Sequence, residues 1–245
     1  MMRNILILGT MLAVAGTTLA ALDARERPAK SAIGAAPVLV ELFTSQGCSS
    51  CPPADRLLSR LDAGGGIVAL SRPVTYWDRL GWKDTLARGE NDVLQRRYAA
   101  RGLPGSGVYT PGAVVQGSTA TVGSDEPRLR ALIAAARSAK PIMLTQTGDR
   151  VTASQAAPGA ELRFVAVAKS RPVKIVRGEN GGRAIGYTNV VLNEAATACA
   201  ADTPCSAVIP AGIGGQPGAD RWAAILQDRQ GGRVRAVRWS TRPAK

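Results

Sequence analysis

The sequence predicts an α/β domain over residues 37–140, in the order β-α-β-α-β-β-α, followed by a mostly β, sandwich-like domain over 141–245. Three observations carry this. An apolar run from Pro37 to Phe43 leads through a short loop into Cys48-Ser49-Ser50-Cys51 and then into a helix-period segment. Apolar strand-like and helix-like segments then alternate up to Lys140. After Pro141 helical periodicity disappears, and short strand-like runs separated by turn residues replace it.

Pro37 to Phe43 reads as a buried strand with one acid, Glu41, inside it. Pro52-Pro53-Ala54-Asp55 opens a helix in which Leu57, Leu58 and Leu61 have helical spacing, and Gly64-Gly65-Gly66 ends it. Ile67 to Leu70 is the next strand, parallel to the first through a right-handed crossover. Thr85 to Arg101 is expected to be helical, with Leu86, Val93, Leu94 and Tyr98 on its apolar side. The strands Ala113–Val115 and Ala120–Val122 form an antiparallel pair about Gly117, and a helix from Asp125 to Lys140 closes the unit. In the second half, 142–147, 150–154, 162–168, 173–176, 183–193, 222–227 and 234–239 read as strands, with Asn180-Gly181 as a two-residue hairpin turn.

Met1-Met2-Arg3, the apolar run that follows and the small residues Thr18-Leu19-Ala20 have the pattern of a cleaved signal peptide over 1–20. The segment 21–36 is a flexible lead-in. The chain is therefore expected to be exported, to the periplasm or beyond, touching a membrane only through the signal segment if that stays uncleaved. Of the residues, 45% are hydrophobic, as in a globular protein with a real core. The formal net charge is +13, yet no basic run exceeds Arg96-Arg97 and aromatics are only 4%. That pattern lacks the concentrated stripe and stacking platforms of nucleic-acid sites. No His is present, which removes His metal ligands and His general bases together.

The four cysteines fall as Cys48/Cys51 and Cys199/Cys205, an even count that favours oxidised pairs in an exported chain. At a strand-to-helix junction a CxxC can close a small ring, and helix N-terminal amides favour a thiolate. Cys48 reads as the exposed nucleophile and Cys51 as the resolving thiol; a permanently oxidised clip is the structural alternative. Cys199 and Cys205 read as a separate structural disulfide. Zinc held by all four is disfavoured by the five-residue spacer of the second pair. No cofactor and no metal site is expected.

The element order is that of thioredoxin, and two residues extend the match. In thioredoxins a buried acid on the first strand exchanges the resolving thiol's proton, and Glu41 is the candidate, one position further from the CxxC than usual. Thr110-Pro111 before a Val-rich strand resembles the cis-proline that faces the disulfide there, which makes Pro111 a site residue and Thr110 its neighbour. The Trp that commonly precedes the CxxC is replaced by Gln46-Gly47. The segment Thr75 to Asp84 is an insertion whose Tyr76, Trp77, Asp78 and Trp82 either line a groove beside Cys48 or fill the core under a long loop.

The stretch Val40 to Asp55, with Tyr76-Trp77-Asp78, Leu80 to Asp84, Val108 to Pro111 and Arg177-Gly178-Glu179-Asn180, resembles a secreted bacterial thioredoxin-like family described only as a domain of unknown function. The resemblance covers nearly the whole mature chain. It implies a thioredoxin fold plus a β-rich tail without an established activity. Members often carry a His before the Tyr-Trp-Asp motif, where this chain has Arg72 to Thr75. Arg177–Asn180 reads as a hairpin clasp or as a ligand site.

Two functions follow. One is thiol-disulfide exchange on an unidentified exported thiol or disulfide. The other is a non-enzymatic binding module on a thioredoxin scaffold, for a protein partner or a soft metal. The intact CxxC and the candidate cis-proline favour the first. The added β domain, the Pro after Cys51 and the missing Trp favour the second.

Overall fold

The computed structural model describes residues 36–137 and 141–241. The expected signal peptide over 1–20 and most of the expected lead-in over 21–36 lie outside the described residues. The first half contains β1 (Val38–Thr44), α1 (Pro52–Ala63), β2 (Ile67–Pro73), a 3₁₀ turn (Asp78–Leu80), α2 (Gly89–Ala100), β3 (Gly112–Val115), β4 (Thr119–Val122) and α3 (Glu126–Ala135). The second contains β5 (Leu144–Thr147), β6 (Arg150–Ala156), β7 (Ala160–Lys174), β8 (Ala184–Ala198), β9 (Pro204–Val208), a helical turn α4 (Ala211–Gly214), β10 (Arg221–Asp228) and β11 (Val234–Ser240). None of the described helices is long and apolar enough to cross a membrane.

The architecture is mixed α/β around one large sheet in the order β11-β10-β7-β8-β2-β1-β3-β4, with a three-stranded sheet β5-β6-β9. β1 runs parallel to β2 and antiparallel to β3, and β3 and β4 form a hairpin, as the residue pattern leads one to expect. The two halves share this sheet: β8 meets β2 in parallel at Val190 and Ser71, so four strands of the second half lengthen the first half's sheet edge to edge. The three-stranded sheet covers them, packing Leu144, Val151 and Ala207 on Leu162, Phe164 and Trp222.

The strand period of two decides what each side of β1 meets. Val38, Val40 and Leu42 face α1 and α3, where Leu57, Leu58, Leu61, Leu129 and Ile133 pack. Leu39 and Phe43 face the other way, toward Val68, Val165 and Val191 and toward α2 through Leu94 and Tyr98. Glu41 shares that second face.

Several elements depart from their expected bounds, and β9 is a strand the pattern did not single out. α2 begins at Gly89, so Leu86 packs instead on the β7–β8 cluster and Val93 is exposed. β7 is one strand of 15 residues running through Pro172, which pairs with Gly186. β10 accompanies β7 only as far as Val167, and on a strand with a free edge a missing N–H is tolerated. Asn180-Gly181 is not a two-residue turn. The β7–β8 connection is longer, closed by Ile175 and Arg183, and the Asn180 side chain is fully buried.

Candidate functional site

Cys48 and Cys51 are joined in a disulfide, with Cα atoms 5.4 Å apart, in the turn between β1 and α1. Cys51 is the N-cap of α1 with αR dihedrals, and Pro52 follows as the first helical residue. Pro fits there because its missing N–H would have no helical partner. The Cys51 carbonyl accepts from Ala54 N–H (2.9 Å) and Asp55 N–H (3.1 Å), so Cys51 already shares the helical register.

Ser49 and Ser50 are exposed, but both cysteines have 0% exposure, which corrects the expectation that Cys48 presents an open sulfur. The loop that carries them is tied down from the second half. Asn180 Nδ2 donates to the carbonyls of Gln46 (3.0 Å) and Cys48 (2.8 Å), while Arg183 holds its Oδ1 at 2.8 Å. Glu179 Oε2 accepts from Ser49 N–H at 2.9 Å, and these Ser49 contacts hold its carboxyl below the ordinary range. The Arg177–Asn180 segment is thus a clasp across the CxxC loop, one of its two readings from the residues alone.

The tryptophans of the insertion flank the same loop. Trp82 Nε1 donates to Gln46 Oε1 at 2.8 Å, and the Gln46 amide N–H donates to Asp84 Oδ2 at 2.8 Å. Trp77 lies against Gly47, where an added Cβ would come within 3.2 Å of the Trp77 Cβ, and its indole donates to Thr110 Oγ1 at 2.8 Å. The Thr110–Pro111 bond is cis. Pro111 itself packs beside Gly123 near Ala54 of α1. Tyr76 turns away to Gln95 (3.2 Å), and Asp78 accepts from Asp84 N–H at 3.0 Å. Trp77 and Trp82 therefore pack on neighbouring clusters, the core-filling reading of the insertion, while contacting Gly47 and Gln46 just before Cys48.

Glu41 has other partners. It is fully buried, receives Arg72 Nε at 2.7 Å and Arg163 at 3.4 Å, and accepts from Tyr98 Oη at 2.5 Å. Arg72 and Arg163 also bind Glu194, at 3.0 and 3.5 Å. Burial pushes the Glu194 carboxyl up, but the two arginines outweigh it and hold it at about 2. Glu41 is thus committed to a paired network on the face of β1 away from α1, which argues against the thiol-proton role expected for it.

A different acid stands on the cysteine side. Asp55, one helical turn after Cys51 on α1, is 2% exposed, and neither carboxylate oxygen has a hydrogen-bond partner among the described residues. Thr44 Oγ1 and Tyr187 Oη are buried and unpartnered in the same way. Burial pushes Asp55 up to about 7; the nearby Thr44 hydroxyl pulls it down and the Asp84 charge raises it further. Tyr187 is pushed up by burial and then by Asp55 and Asp84. From the sequence Asp55 reads as an ordinary acid in a first helical turn. The one signal that could have singled it out is that 51, 54, 55 and 58 lie on one helical face.

Cys199 and Cys205 form the second disulfide, Cα atoms 5.0 Å apart, between the end of β8 and β9. Among the described residues no cluster of three or more His, Cys, Asp or Glu side chains could hold a metal ion.

Comparison with known proteins supports this picture at two scales. Over 74 residues the chain is 31% identical to a probable thioredoxin of Archaeoglobus fulgidus, covering 29% of this chain and 79% of that protein. A crystal structure of an Agrobacterium tumefaciens protein superposes with a TM-score of 0.67 at 29% identity, covering 85% of this chain and 95% of the other. HBP35 of Porphyromonas gingivalis superposes at 0.51 with 13% identity over 84% and 75% of the two chains, a likeness of fold alone. The family model described as Protein of unknown function (DUF1223) matches residues 39–227, from β1 into β10, and the chain belongs to that family.

Proposed function

We propose that β1 to α3 form a thioredoxin-like unit and that the Cys48–Cys51 pair exchanges disulfides with an exported thiol or disulfide substrate. The observation that carries this reading is the disulfide itself, closed in the turn that caps α1, with Trp82 bonded to Gln46 two residues before Cys48. The partial identity to a probable thioredoxin supports it. Export rests on the residue pattern of 1–20, and mass determination of the mature chain from the periplasmic fraction tests it.

Exchange requires an accessible sulfur, so the Glu179–Asn180 clasp must release the CxxC loop when substrate arrives. The reduction potential tests the reading. A value in the catalytic range of about −120 to −270 mV supports exchange, and one below about −300 mV marks a structural bond. The buried state of both sulfurs favours a second reading, in which the disulfide is a permanent clip and the thioredoxin-like unit is a binding scaffold. The same measurement separates the two.

A further inference from the structure

We infer that Asp55 is the group that exchanges a proton with the Cys51 thiol, with Thr44 and Tyr187 as the polar lining of that exchange; this rests on the disulfide-exchange reading above. The placement argues for it first. Cys51 and Asp55 are i and i+4 in one helical register, so their Cβ atoms stand about 5–6 Å apart on one face of α1. That separation lets a carboxyl reach the sulfur directly or across one water.

Burial argues for it second. The neighbours of Asp55 on that face are Ala54 and Leu58, both apolar and buried, so a carboxyl there gains nothing from packing. Among the described residues no cation closes on it: Arg56 is its near charge on the same helix, Asp84 is a like charge, and Tyr187 from β8 and Thr44 from β1 are neutral donors. An acid held in this way is the easier to protonate, and its titration falls near neutral pH.

The strand parity of β1 makes the same point. Thr44 lies on the α1-facing side with Val40 and Leu42, whereas Glu41 lies on the opposite side inside its arginine pairs.

The chemistry balances as follows. With the protein reduced, the Cys48 thiolate attacks a substrate disulfide, forming a mixed disulfide and releasing one substrate thiolate. Asp55 takes the Cys51 proton. The Cys51 thiolate then attacks Cys48 Sγ, the Cys48–Cys51 bond forms, and the second substrate thiolate leaves. The proton held on Asp55 and one from solvent make up the two substrate thiols. The substrate disulfide is reduced and the protein dithiol oxidised, two electrons passing between them.

The test uses the full mature chain carrying Cys48→Ser, so that Cys51 is the single thiol of the pair. Thiolate absorbance followed against pH should show Cys51 ionising in two coupled steps. Adding Asp55→Asn should collapse these to one step at lower pH, because the like charge is gone. Superimposable curves with and without Asp55→Asn would overturn the inference. With both cysteines present, Asp55→Asn should slow reduction of oxidised glutathione near neutral pH by about 10²-fold, the low end for general acid–base assistance, and remove the neutral limb of the pH–rate profile. Asp55→Glu should restore part of the rate, and an unchanged profile in Asp55→Asn also counts against the role. If the protein shows no exchange at all, the proposed function fails, yet the Cys51 titration still decides whether Asp55 and Cys51 share a proton.

Discussion

Two buried polar groups flank β1, and they are solved in opposite ways. On the α2 side, Glu41, Arg72, Arg163, Glu194 and Tyr98 neutralise one another across five elements of the fold, with Arg72 entirely enclosed. On the α1 side, Asp55, Thr44 and Tyr187 are as deeply buried, but their side-chain oxygens have no hydrogen-bond partner among the described residues. Charges taken out of water demand compensation, and pairing supplies it only where geometry is good. The first cluster meets that demand and acts as a structural rivet between the halves of the molecule, since Arg72 and Glu41 belong to the first half and Arg163 and Glu194 to the second. The second leaves the demand open, and an open demand is what makes a side chain titrate near neutrality. Of two buried acids three residues from either end of the CxxC-bearing loop, the paired one is architecture and the unpaired one is available for chemistry.

The largest expected effect comes from breaking the paired cluster. Arg72→Met keeps the volume but leaves Glu41 and Glu194 with the longer Arg163 contacts in place of their closest cation. Removing one partner of a buried pair costs about 3–5 kcal/mol, so a drop of that size in unfolding free energy should appear in urea denaturation. A loss below about 1 kcal/mol would show that Arg163 alone carries the network.

The unpaired cluster should act through pH. Asp55 is raised from its ordinary 3.8 to about 7, so below pH 4 it is protonated both folded and unfolded and has no effect. Between about 4 and 7 only the unfolded chain gives up its proton, and stability falls as pH rises, by at most about 4 kcal/mol at 1.36 kcal/mol per unit. Above 7 the penalty is complete. Asp55→Asn should therefore be more stable than the wild-type chain at pH 8 and about equal at pH 4, read from paired denaturation curves. A constant offset at both pH values would sink the assignment of that titration to Asp55.

How far the residues alone could carry this contrast is instructive. The strand before the CxxC, the Pro-opened helix and the cis-prone Thr110-Pro111 are local signals, written in adjacent residues, and the structure agrees with them. Glu41 stands out as an acid in an apolar run, which correctly marks it as buried. Its arginine partners come from 31 and 122 positions away, and no local pattern reports a contact of that range. Arg72 stands in a segment that reads as loop, because β2 continues three residues past its apolar core. Asn180-Gly181 carries the strongest short hairpin signal in the second half, yet the side chain is spent on the carbonyls of Gln46 and Cys48 instead. Likewise the second half reads as a separate sandwich because strand signals are silent on which sheet a strand joins, and a single parallel contact at Ser71 and Val190 makes the junction.

A control distant from both clusters is the Cys199–Cys205 bond. The loop between them is short, so Cys199→Ser with Cys205→Ser should cost about 2 kcal/mol, the low end for a disulfide. Neither the pH dependence assigned to Asp55 nor the reactivity of Cys48 should change. A shift in either would mean the three-stranded sheet is coupled to the site.

The smallest effect concerns the clasp over the CxxC loop. Asn180 is buried and makes two bonds to the CxxC loop, while Glu179 is at the surface and makes one, to Ser49 N–H. The inner residue carries the packing, so Asn180→Ala unsatisfies two carbonyls and lowers stability as well as opening the loop. Glu179→Gln is the cleaner probe. It keeps an acceptor of the same reach but removes the charge, and charge-assisted bonds to backbone N–H are the stronger kind. Global stability should stay within error of the wild-type chain. Reduction of the Cys48–Cys51 disulfide by dithiothreitol should nevertheless quicken by a factor of a few, because opening the loop gives up only this bond and the Asn180 pair. High salt should narrow the gap between variant and wild type, since the charged contact is exposed and screened. Equal reduction rates at low salt would show that Glu179 does not limit access, and would leave Asn180 as the whole latch.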